Sequence, residues 1–240
     1  MMEWSTPEDI NRDVLDATRK GLRYAHLTCG IEFQRECVQA LTSLHDRLKE
    51  LRDTFIAHSN EPYANAAFRA QMVVSAVKRL LEMWILLKEE KPDDAWDRLI
   101  EAQQKLAVAQ RVYFDADTET FLRHLLSVEE VVFPAQVFLS CGFKYVATDA
   151  RCTICNQQYG ECDHISGRIY MGRICRRRIL KHEVIETSIV PHPQDKRCRM
   201  FAYTENGTWY CTLTRRERPQ GDAPIDSETR AFSGIAMRSD

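Results

Sequence analysis

The sequence predicts an α+β protein: an N-terminal helical bundle followed by a small zinc-stabilised β domain. Three observations carry this. Apolar residues recur every three or four positions up to about residue 131, and short alternating β-branched and aromatic segments replace them after Pro134. Five candidate metal ligands then crowd between Cys152 and Cys175. Charge divides at the same place. The 240-residue chain carries 33 Lys+Arg and 35 Asp+Glu, a net of −2, yet residues 1–130 hold 17 against 23 and residues 131–240 hold 16 against 12. An acidic half is joined to a basic half, which excludes a uniformly basic nucleic-acid binder and leaves room for a local basic surface. The 44% hydrophobic and 28% charged fractions exclude a disordered or fibrous chain.

The helical region, residues 1–132, opens with Thr6-Pro7-Glu8-Asp9, which reads as an N-cap, a proline at the first helical position and acids in the first turn. An amphipathic run follows to about Leu27. A second helix spans Glu32 to Ala57, with Phe33, Cys37, Ala40, Leu41, Leu44, Leu48, Leu51 and Phe55 on its apolar side. Ser59-Asn60-Glu61-Pro62 stops it, and a third helix fits Asn65 to Leu87. Asp93 is expected to cap a fourth, reaching about Tyr113, and Asp117 a fifth, ending near Val132. Trp84 and Trp96 read as core fillers between these helices.

The β domain is placed at residues 133–218. Its expected strands are Gln136–Val146, Arg168–Ile174, Val184–Val190, Arg199–Tyr203 and Thr208–Thr214, and Asn206-Gly207 is a hairpin turn between the last two. Residues 219–240 form a polar tail without sustained period, expected to be flexible.

Within Arg151–Arg178 stand Cys152-x2-Cys155, then Cys162-x-His164, then Cys175. A Cys-x2-Cys turn aims two thiolates at one ion, and a second short pair completes a tetrahedron, so a closed structural Zn²⁺ site is expected on Cys152, Cys155, Cys162 and His164. Cys175 is the reserve ligand. Small β modules have little core of their own, and metal binding supplies folding energy. Around the cluster lie Arg168, Arg173, Arg176, Arg177, Arg178 and Lys181, and later Lys196, Arg197, Arg199, Arg215, Arg216 and Arg218. Gathered on one face these suit phosphate, with Tyr159 and Tyr170 available for stacking. The competing reading has the same cations pairing with the acidic helical half.

At the end of the second helix, Leu51-Arg52-Asp53-Thr54-Phe55-Ile56-Ala57-His58-Ser59 resembles the R-x4-6-H motif of HEPN ribonucleases, in particular the R-D-x-x-x-A-H-S form of their abortive-infection and toxin members. The resemblance covers roughly residues 1–131. It implies a homodimer that cleaves RNA without divalent metal, with His58 as acid/base, Arg52 holding the phosphate and Asp53 orienting its neighbours. The chemistry is consistent: His titrates near neutrality, and the guanidinium fork suits a phosphorane. On a regular helix, six residues turn by about 600°, so Arg52 and His58 need a helix end or a second subunit to converge.

More weakly, Phe138-Leu139-Ser140-Cys141-Gly142-Phe143 and Val184–Pro193 resemble two strands of phage prohead-maturation proteases, which would make Ser140 the nucleophile. No segment supplies the matching histidine.

The expected function is therefore a dimeric, defence- or toxin-type ribonuclease that binds RNA, or alternatively DNA, through the basic zinc domain, with an antitoxin or other protein as a further partner. The competing class is a non-enzymatic zinc-containing binding or assembly protein. No secretory leader or spanning segment is visible, and crowded cysteines without one point to a reducing cytoplasm.

Overall fold

The computed structural model describes residues 7–218; Thr6 as a cap and the tail at 219–240 lie outside the described residues. The chain is α+β. Helices α1 (Pro7–Arg23), α2 (Ile31–Ala57), α3 (Glu61–Lys88), α4 (Pro92–Gln110) and α5 (Ala116–Val132) come first. Strands β1 (Phe138–Lys144), β2 (Ala150–Cys152), β3 (Ile169–Tyr170), β4 (Arg173–Ile174), β5 (Arg177–Ile179), β6 (Glu183–Val190), β7 (Ala202–Glu205) and β8 (Thr208–Cys211) follow. All pair antiparallel in two-stranded ribbons: β1 with β6, β2 with β5, β3 with β4, and β7 with β8. Among the described residues no helix is long and apolar enough to cross a membrane.

Helix α3 is the axis of the bundle and packs against α1, α2 and α4. It is buried on most sides, with Val74, Val77, Leu80, Leu81 and Met83 wholly enclosed. Gly21 lets α1 approach closely, since a Cβ there would stand 2.8 Å from Cγ1 of Val77. Trp96 is 1% exposed and Trp84 9%, so both are core residues, as expected. Phe33 and Ala40, expected on the apolar side of α2, are instead exposed; Phe33 stacks on Tyr24 with ring centroids 6.0 Å apart.

Several helix ends differ from the sequence expectations, each for a local reason. Helix α1 stops at Arg23 rather than Leu27 because the side-chain amide of Gln34 donates to the carbonyls of Tyr24 and His26, at 2.7 and 2.9 Å. Helix α3 begins at Glu61, four residues early: Asn60 caps it by accepting from the Tyr63 amide at 3.3 Å, and Pro62 sits in the first turn where its missing N–H costs nothing. Helix α5 is capped by Asp115, which accepts from the Thr118 amide at 2.8 Å, rather than by Asp117. Asp93 caps nothing. Helix α4 starts with Pro92 after Lys91, and the Asp93 carboxylate faces the β region instead.

That carboxylate accepts from both Arg199 and Arg218. Arg199 is fully buried; it also donates to the Met200 carbonyl at 3.1 Å and to Thr212 Oγ1 at 3.0 Å, with its guanidinium 4.5 Å from the Phe201 ring. Trp96 lies beside it, meets Phe133 edge-on at 5.3 Å, and donates from Nε1 to the Lys196 carbonyl at 3.0 Å. Cys211 and Leu213 join the hydrophobic cluster of the helices. The β7–β8 hairpin is therefore bolted to the bundle, and its Asn206-Gly207 turn has both φ values positive, 51° and 83°, as a two-residue primed turn requires. Replacing Asp93 by Ala removes the carboxylate hydrogen-bonded to the enclosed Arg199 and should lower stability by about 3–5 kcal/mol; Asp93→Asn, which keeps an acceptor, should lose less. Urea unfolding midpoints of the two variants and the parent check this.

Candidate metal centre and basic face

Cys152 ends β2, and the chain turns at once: the Asn156 amide donates to the Cys152 carbonyl at 2.8 Å, with Asn156 in the left-handed region at φ 61°. This tight turn swings Cys155 back beside Cys152 and aims the Ile154 amide at the Cys152 sulfur, 3.4 Å away. The next loop returns Cys162 and His164. One donor atom from each of Cys152, Cys155, Cys162 and His164 lies within 4.8 Å of the others, the grouping expected from the spacing. Donors at the corners of a tetrahedron with bonds of about 2.3 Å stand roughly 3.8 Å apart, so only a small contraction separates this arrangement from coordination.

The donor chemistry fits a metal ion. Nδ1 of His164 is buried and has no hydrogen-bond partner, a costly state for a ring nitrogen unless it is a ligand. The His164 ring is held edge-on to Tyr170 at 4.8 Å, and the Tyr170 hydroxyl accepts from the Ile165 amide at 3.0 Å. Burial pushes the Cys152 thiol up, but hydrogen bonds from the amides of Cys155 and Ile154 and from the Cys155 and Cys175 side chains together bring it down to about 7.

Cys175, the reserve ligand, stands outside the four. Its sulfur is 3.8 Å from that of Cys152, and burial followed by the neighbouring Cys152 pushes its thiol up to about 11.

The cations named from the sequence sort into two sets. Lys196 pairs with Glu129 at 2.8 Å, Arg197 with Asp195 at 2.7 Å, and Arg199 and Arg218 with Asp93. Arg216 approaches Glu90 at 3.8 Å, and Arg215 lies over the Tyr203 ring at 5.4 Å. For most of the later set, the pairing reading is correct. Arg168, Arg173, Arg176, Arg177, Arg178 and Lys181 behave otherwise: all are exposed, and among the described residues none pairs with a carboxylate. Arg178 donates to Asn156 at 2.9 Å. Arg177 lies over Tyr145 at 5.2 Å and Tyr159 at 5.5 Å.

Tyr159 is thus at the surface beside a guanidinium, whereas Tyr170 is engaged within the metal loop. Sequence reasoning missed β2, β5 and the aromatic contribution of Phe143, Tyr145 and His182. The signal was present: Phe143 and Tyr145 are two apart on an extended segment, and so share a face.

Arg52 and His58 do not form a cleft. Arg52 donates to Asp53 Oδ1 at 3.0 Å and to Gln71 Oε1 at 3.0 Å. His58 is the C-terminal cap of α2, with Nδ1 2.8 Å from the Thr54 carbonyl and the ring exposed. The metal loop nevertheless reaches this corner. The amides of Met171 and Gly172 donate to Glu61 Oε1 at 3.1 Å and Asn65 Oδ1 at 2.7 Å. Gly172, at φ 65°, sits so close that a Cβ would lie 2.8 Å from Arg52 Cδ and 2.9 Å from the Ala64 carbonyl oxygen. Ser140 is exposed on β1 opposite Ser188, and no histidine bonds it among the described residues.

No protein family, curated protein or solved structure matches the chain. Function must be argued from the site.

The ligand set has a direct test. Cys152→Ser and His164→Ala should each abolish retention of about one metal ion per chain after dialysis, whereas Cys175→Ser should keep it. Elemental analysis decides, and loss of metal in Cys175→Ser would move that sulfur into the coordination shell.

Proposed function

We propose that the protein binds nucleic acid through a Zn²⁺-stabilised module whose basic surface takes the phosphate backbone. Three thiolates and one imidazole on short loops suit Zn²⁺ in a closed, four-coordinate structural site. No open position is left for a reacting water, so the metal's part is to hold the module together. The observation that carries the reading is the sorting of cations. Lys196, Arg199 and Arg218 are paired with carboxylates of the helices and Arg197 with Asp195 in the loop beside it, while those on the metal module are left unpaired and exposed. Unpaired arginines on one short segment are what phosphate binding requires.

The test is a salt titration. Binding of a fluorescent oligonucleotide should weaken linearly in log–log form as NaCl rises, and Arg176→Gln with Arg178→Gln should lessen the slope by about one per lost phosphate contact. Arg123→Gln, on α5 and paired with Glu119 at 2.6 Å, should leave the slope unchanged. Binding that ignores salt would sink the reading.

A second reading, RNA cleavage at Arg52, Asp53 and His58, has one contact in its favour. The β3–β4 turn docks on Glu61 and Asn65, three and seven residues after His58, which brings the basic module to the motif that lies in the acidic half. With Nδ1 donating to Thr54, Nε2 of His58 is left to accept the proton of a 2′-hydroxyl. Arg52 would have to leave Asp53 and Gln71 to reach a phosphate, and a second copy would supply the opposing half of the site. Under this reading, purified protein cuts RNA without added divalent metal, and His58→Ala abolishes cutting while the circular dichroism spectrum is unchanged. Intact RNA after incubation with the parent protein leaves the binding reading alone.

A further inference from the structure

Five side chains with flat faces form a continuous row on the surface of the metal-bearing half. The His182 ring meets Phe143 at 5.6 Å, Phe143 meets Tyr145 at 6.3 Å, and the Arg177 guanidinium lies over Tyr145 at 5.2 Å and Tyr159 at 5.5 Å. The row crosses four separate pieces of chain: the end of β1, the turn after Cys155, β5, and the residues leading into β6. None of the five is buried, and His182 and Arg177 are exposed. Core aromatics in this protein look different: Trp96 and Phe133 are enclosed and meet inside the hydrophobic cluster.

We infer that this row is a stacking platform for the bases of single-stranded nucleic acid. The inference rests on the phosphate-binding reading above and specifies its ligand. Ring and guanidinium faces accept any base, because every base has a π-face, and such rows carry sequence-tolerant binding of single strands. A duplex cannot use them, since its bases are already stacked on one another and offer only edges in the grooves. Arg177 serves twice. Two tyrosine rings within 5.5 Å restrict its rotamers, so little freedom is lost on binding, while its charge remains available to a phosphate. Arg176, Arg178 and Lys181 leave the chain within four residues of it and supply further phosphate contacts.

The experiment compares four probes of equal length by fluorescence anisotropy: an oligo-dT strand, an oligo-U strand, a strand of abasic sites with the same phosphate backbone, and a DNA duplex. The expected result is single strands bound at least tenfold more tightly than the abasic strand and the duplex. Tyr145→Ala should weaken the single strands roughly five- to a hundredfold and leave the abasic strand unaffected. Arg177→Lys keeps the charge and removes the plane, so it should show the same selective loss. Tyr159→Ala should show this loss too; because Tyr159 lies between Cys155 and Cys162, Tyr159→Leu replaces it if the alanine variant loses its metal. The two single strands separate RNA from DNA as the source of the bases. Equal binding of all four probes overturns the stacking platform and leaves the phosphate reading standing; no binding of any probe overturns both.

Discussion

The Asp93 carboxylate sets the architecture. It stands in the first turn of α4, where the positive end of the helix dipole favours an anion, and it accepts from two arginines of the β region at once. A guanidinium as enclosed as that of Arg199 would be a severe liability without that carboxylate, the Met200 carbonyl, Thr212 Oγ1 and two aromatic faces around it. With them it becomes a bolt. Trp96 follows three residues later, one helical turn on, and its indole extends the same junction through Phe133, Phe138 and the Lys196 carbonyl. The order of the junction is therefore helix N-terminus, carboxylate, arginine, indole, hairpin.

This junction also decides what the rest of the basic half can do. Cations between residues 196 and 218 are largely drawn inward to Glu129, Asp195, Glu101 and Asp93, so their charge cancels against the acidic helices. Asp97 shows the cost of crowding charge here: burial raises its carboxyl to about 6, although Arg197 and Arg199 pull it the other way. The largest group of cations left outward and unpaired lies between Arg168 and Lys181. A bulk net charge of −2 says nothing of this division; the pairing does.

Much of the fold was legible because long helices announce themselves through repeated apolar spacing, and five were expected and five are present among the described residues. Their ends were less legible because caps depend on which polar side chain wins locally. Asp93 and Asp117 both look like caps in sequence, yet one is recruited by Arg199 and the other is preceded by Asp115. The strands of the metal module were hardest, since ribbons of two or three residues have no period to detect and β2 pairs with β5 across 24 intervening residues. The four-ligand grouping was legible from Cys-x2-Cys and Cys-x-His alone. The division of the cations was not, because Arg176 and Arg197 are alike in sequence and differ only in whether a carboxylate from another element reaches them.

The metal loop and the aromatic row cannot be independent. In the β2–β5 ribbon Cys152 lies directly opposite Arg177, so a candidate metal ligand and a member of the row are cross-strand partners. Tyr159 is set by the same turn, its amide donating to the Ala150 carbonyl at 2.9 Å. A three-residue ribbon buries little with which to hold that register, and an ion on the four donors would supply what is lacking. Where a bound ion orders the row, anything that binds the ordered row would tighten metal binding, and metal would tighten it in return, by the same factor. On the proposed reading, an ion on the four donors would serve binding without touching the nucleic acid, by fixing where Arg177 and Tyr159 stand, while the Gly172–Asn65 hydrogen bond ties the loop to the helical bundle.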